Sequence, residues 1–380
     1  MILLLLLLSQ AAYAWDNHAL LTRLSLAGWD NWEKADFEPL ERVLPVLNIG
    51  GVRPSTREGL FKALEIRGDR VKWDEPGPQP QGADSAALAV LAWATDHPDH
   101  GMDQEMHLTP DQEWMGGYTG LSSQAFRHMY FLPWDWKQPL ITMHLPHPAQ
   151  AMGQAPDRAQ IFFDMAVQAR RGGHHYWAYR FLGMGLHYIQ DLNQPYHCQQ
   201  VGSLVLLPYG RILRGKAEFL KEATRIISNM HLAFEQQTLL YLNKARLSDG
   251  KDKFYRKATD AFRVPTASLL LKNALQNNLD LPVRDAAVLM TRAGAMLTPQ
   301  VVREQLALME KDLVRPGLDL GAGFTDENGV PKLDFESIEA SPSTGTLRKR
   351  EQLLVVMAQA LSNTGMSTRW VFDKFRLLGR

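Results

Sequence analysis

The run RFLGMGLHYIQDLNQPYHC, residues 180–198, constrains this chain more than any other stretch. His187 and Asp191 stand four apart, so on a helix they share one face, one turn apart. The surrounding residues Phe181, Leu182, Leu186 and Ile189 are apolar, which turns the pair inward. A buried charge without a partner is costly. Asn193 and Pro195 then end the helix, because proline cannot continue it. His197 falls just beyond that break, where the chain folds back toward the same face. Three potential ligands thus converge from 11 residues. A His-x-x-x-Asp pair is more commonly a surface ion pair. Here a metal ion would compensate the carboxylate and the imidazoles together. Gly183 and Gly185 offer bare backbone to a neighbouring helix.

A second i,i+4 pair, His231 and Glu235, sits among Ile226, Ile227, Met230 and Phe234. Helical spacing recurs elsewhere. Leu20, Leu21, Leu24 and Ala27 form one face after Asp16-Asn17, a capping pair. Further helices are predicted over 86–95, 156–171, 174–192, 214–247, 251–262, 266–278, 283–296 and 299–312. Strict alternation is scarce. Breaks fall at 45–54, 76–82, 133–156 and 315–345, the last read as a long loop. The chain shows no internal repeat. These patterns predict an all-α, multi-helix globular fold.

The single cysteine, Cys198, excludes an internal disulfide, a thiolate zinc finger and an iron–sulfur cluster. Any metal must be held by carboxylates and the 12 histidines. With 41 basic and 41 acidic residues the chain has no global field to hold nucleic acid, and no stable nucleic-acid partner is expected. The opening MILLLLLLSQAAYA reads as a signal peptide over residues 1–14, although no Lys or Arg precedes its apolar run. A secreted or periplasmic protein is expected. Cleavage after Ala14 would give Trp15 a free α-amine, which together with its carbonyl can chelate a metal.

FLGMGLHYIQDLNQPYH resembles the zinc-dependent phospholipase C and single-strand nuclease superfamily, with its His-x-x-x-Asp-x-x-x-x-x-His run. Trp15 is similar to that family's cleavage-exposed tryptophan. The resemblance implies three zinc ions in a cluster. His128, His187, Asp191 and Asp96 would serve the first. His197, His231 and Glu235 would serve the second. Trp15 and His18 would serve the third, with Asp191 bridging. Asp96 is the match within ATDHPD, and His128 within HMYFLP. His18 stands closer to Trp15 than in familiar members. Asp96 is also the catalytic candidate, as a ligand, an orienter of water, or both. The neighbouring residues of DHPDHGMD (His97, Asp99, His100, Asp103) read as a polar loop, some of whose members hold ligands from behind, or as a separate metal site.

The resemblance implies an exported zinc phosphodiesterase. A phospholipase C cleaving the glycerol-side phosphoester is expected, with phospholipid or another phosphodiester as substrate. A single-strand nuclease or 3′-nucleotidase is the alternative. A non-catalytic, zinc-stabilised lipid-binding module is a reading of another class. A choline cage is poorly supported, with His18, His97 and Ala125 at its places, and Tyr118, Tyr130, Trp134 and Trp136 read as core or rim aromatics, or as faces that could stack bases. The core is expected over 15–245, with an insertion at about 35–83, followed by a helical extension over 246–380. Residues 346–380 carry seven Lys or Arg against two acids. They read as a packed terminal helix with a basic face, or as an amphipathic helix making peripheral membrane contact.

Overall fold

The structure, a computed structural model, describes residues 17–80, 82, 84–100, 102–103, 123–132, 151–199, 201, 216–263, 267–276, 278–321, 323–326, 328–340 and 343–379. The leader, Trp15, Tyr118, Trp134 and Trp136 lie outside the described residues.

The described residues form an all-α fold with one two-stranded sheet. Helix α1 (His18–Ser25) starts where the Asn17 side chain accepts from the Leu20 N–H at 2.9 Å. α2 spans Arg57–Leu64 and α3 spans Ala86–Ala94. α3 starts at Ser85, whose hydroxyl accepts from the Leu88 N–H. Its sequence AALAVLAWA is apolar all round, so it is buried on most sides. α4 (Ser123–His128) leads into β1 (Tyr130–Phe131), which pairs antiparallel with β2 (Met152–Gly153). Gly153 is required here. Its φ is +119°, and a Cβ would lie 2.0 Å from the Met129 carbonyl.

α5 (Ala155–Arg171) and α6 (His175–Asp191) pack closely, and α6 is buried from Tyr176 to its end. The two glycines of α6 set its neighbours. A Cβ at Gly183 would lie 2.4 Å from the Leu91 carbonyl of α3, and one at Gly185 would lie 3.3 Å from Phe162 Cβ of α5. α6 stops at Asp191, and the short α7 (Pro195–Cys198) starts after Gln194, whose side chain accepts from the Tyr196 N–H. The break expected at Asn193 and Pro195 is therefore present, and it turns His197 back.

The remaining α-helices among the described residues are α8 (Lys216–Leu247), α9 (Lys253–Asp260), α10 (Leu269–Leu275), α11 (Val283–Leu313), α12 (Phe335–Ala340) and α13 (Thr344–Leu378). α11 joins two helices expected to be separate and runs through Pro299; its one non-helical residue is Met309. Packing overrides the local break. Thr298 is buried and donates to the Pro195 carbonyl of α7 at 2.8 Å, and Val301 and Val302 are in the core.

Two large apolar clusters fill the interior of the described residues, and a small third one joins Phe126 and Phe131. One large cluster joins α2, α3, α5 and α6 to the start of α11 and the end of α13; the other joins α1, α8 and α9 to the later part of α11 and the first half of α13. Both draw on residues before and after 245. Residues 40–73 also enter the first cluster, through Leu40, Val43, Leu60, Leu64 and Trp73. In the basic C-terminal segment, Leu353, Leu354, Val356, Trp370, Phe372 and Phe375 are buried, whereas Val355 is exposed. No helix among the described residues is long and apolar enough to cross a membrane.

Candidate metal centre

α6 ends in the middle of a buried cluster of imidazoles and carboxylates. Three groups of donor atoms could each hold a metal ion: His18, His187 and Asp191; Asp99, His128 and His187; and His197, His231 and Glu235. Seven of the nine expected ligands fall in these groups, and Asp99 joins them.

Asp191 is central and fully buried. Its Oδ1 lies 3.5 Å from His18 Nε2 and 3.4 Å from His197 Nδ1, and its Oδ2 lies 3.1 Å from both His128 Nδ1 and His187 Nε2. Neither oxygen accepts a well-formed hydrogen bond. Burial raises this carboxyl, but the imidazoles of His187 and His197 outweigh it and hold the group well below the usual range.

His187 donates from Nδ1 to the Thr95 carbonyl at 2.7 Å, since a carbonyl can only accept. Its Nε2 therefore carries the lone pair in the neutral ring. That nitrogen faces His128 Nδ1 at 2.8 Å. A second pair, His197 Nε2 and His231 Nε2, also meets at 2.8 Å. His197 donates from Nδ1 to the His128 carbonyl at 3.0 Å, so its Nε2 is likewise bare. Facing ring nitrogens at this separation need a proton or a cation between them. The facing nitrogens, the Asp191 oxygens and the unpartnered Glu235 Oε2 are what a cation site requires. All donors are nitrogen or oxygen from His, Asp and Glu, a set that suits a catalytic divalent metal.

The outer contacts are also defined. His18 Nδ1 pairs with Gln190 Oε1 at 2.8 Å, and Gln190 donates to Thr22 of α1. Burial first, then His187, lowers the His18 imidazole to about 3, so it is neutral and able to ligate. Glu235 accepts from Gln194 at 2.9 Å and from His231 at 2.8 Å. Burial opposes ionisation of Glu235, but His231 and His197 bring it down to about 2. Gln190 and Gln194 were not singled out in the sequence; the signal of Gln190 is polarity inside the α6 apolar face, three residues from His187, and that of Gln194 is its place directly before Pro195.

Asp96 and Asp99 take different places. Asp99 is buried on the turn Pro98–His100, with Oδ1 3.3 Å from His128 Nδ1 and 3.6 Å from His187 Nε2. Burial pushes its carboxyl well up. Asp96 is half-buried, lies outside the three groups, and accepts from the Ala19 N–H of α1 at 3.1 Å. Burial raises it to about 6. No family model, curated protein or solved structure matches this chain.

Proposed function

We propose that this chain is an exported zinc-dependent phosphodiesterase, a phospholipase C releasing the phosphorylated head group by cleavage on the glycerol side. The observation that carries the reading is the convergence of His18, Asp99, His128, His187, Asp191, His197, His231 and Glu235 in three adjoining donor groups. Seven of these eight residues are ones that the resemblance of the 181–197 run implies as ligands; Asp99 is the eighth. When bound, zinc supplies Lewis acidity toward a phosphodiester and an activated water. Asp191 lies within 3.5 Å of donors from all three groups.

Asp96 is the acid–base candidate. Its carboxyl is raised to about 6, so it can hold a proton near neutrality, and its Oδ1 is fixed by the Ala19 N–H. The test is one purified preparation assayed on phosphatidylcholine, phosphatidylethanolamine and single-stranded DNA. Lipid cleavage to diacylglycerol is expected. Asp96→Asn is expected to lower it by about 10²–10⁴-fold with zinc retained. Cleavage of DNA without lipid would replace the phospholipase reading by the nuclease one. Retained zinc with no hydrolysis of any of the three would favour a lipid-binding module.

A further inference from the structure

We infer that Asp103 is a positioning residue that fixes which nitrogen of His128 faces the metal centre. The inference rests on the metal-centre reading above. Asp103 is fully buried. Its Oδ1 accepts from Arg127 at 3.0 Å and from Arg158 at 2.9 Å. Its Oδ2 accepts from the Tyr188 hydroxyl at 2.5 Å and lies 3.2 Å from His128 Nε2. These partners come from three different helices. Arg127 precedes His128 on α4, Arg158 is on α5, and Tyr188 follows His187 on α6. One carboxylate therefore ties together the segments that carry two of the donors.

The two ring nitrogens of His128 face opposite ways. Nδ1 points at His187 Nε2, Asp191 Oδ2 and Asp99 Oδ1, at 2.8, 3.1 and 3.3 Å. Nε2 lies 3.2 Å from Asp103 Oδ2, an ion-pair distance without the alignment of a hydrogen bond. An ionised carboxylate only accepts, so it keeps the ring proton on Nε2 and leaves the Nδ1 lone pair for the metal. A carboxylate behind a histidine ligand fixes the tautomer and the ring plane, and makes the ligand more basic. A role confined to neutralising Arg127 and Arg158 is the competing explanation. It predicts an effect on folding alone.

Asp103→Asn keeps the shape and one acceptor but brings an amide to the same place. In the full mature chain, competition with a chromophoric chelator should show one zinc held about 10–100-fold more weakly than in the wild type. Nitrogen-15 spectra of the zinc-loaded wild type should show a ring bound through Nδ1 with a proton on Nε2, a pattern absent from His128→Gln and lost in Asp103→Asn. Tyr188→Phe, which keeps Asp103 and both arginines, is the second variant should the first fail to fold. It should weaken the same zinc by a smaller factor. Zinc held equally by the folded variants and the wild type would overturn the role of Asp103 and leave the metal centre standing. Absence of zinc from the wild type would overturn the metal centre itself, and this inference with it.

Discussion

Asp96 and Asp99 differ by three residues and by a turn of chain, and that difference divides what sequence reveals from what it hides. His187, Asp191, His231 and Glu235 were legible because helical periodicity fixes which side chains share a face. His197 was legible because a proline stops the helix just before it. No such rule tells which carboxylate of ATDHPDHGMD points inward. That depends on the 3₁₀ turn at Pro98–His100, which directs Asp99 at His128 and leaves Asp96 beside α1. Glu235 gives a test at this scale. Its carboxyl is lowered from 4.5 to about 2, so in the folded chain it stays charged where the unfolded chain would take up a proton. In zinc-free protein its stabilisation is therefore complete above about pH 4.5 and is lost as pH falls toward 2. Melting temperatures of zinc-free wild type and Glu235→Gln should converge across that window. Parallel curves would contradict the assignment.

Among elements, α6 decides the layout. Its glycines admit α3 on one side and α5 on the other, as expected for bare backbone in an apolar helix. The two are not equivalent. At Gly183 the obstacle is a backbone carbonyl at 2.4 Å, which can move only with α3; at Gly185 the nearest atom is a side-chain carbon at 3.3 Å. Gly183→Ala should therefore destabilise the protein by about 1–3 kcal/mol in a denaturant titration, and Gly185→Ala by less. Equal effects would mean that α3 does not sit against α6 as described. α11 marks the limit of local rules. Pro299 reads as a break, yet Thr298, Val301 and Val302 are held by tertiary packing, and the helix continues past it.

For the whole molecule, the helices after 245 are part of the fold that holds the site. Gln190, which pairs with His18, is 3.5 Å from Thr368 of α13, and Asn193 accepts from Ser367 of the same helix at 3.3 Å. Composition could not show this, because a basic helix with buried aromatics reads alike whether it covers a core or a lipid surface. Overall charge is similarly uninformative. A chain with 41 basic and 41 acidic residues is neutral only on average, while its centre gathers three carboxylates among five imidazoles. Bound divalent ions would make that pocket cationic and suited to an anionic phosphodiester. The central claim is that this cluster exists to hold metal. Elemental analysis of the purified protein tests it most directly. The account predicts three zinc ions per chain, and finding none would contradict it.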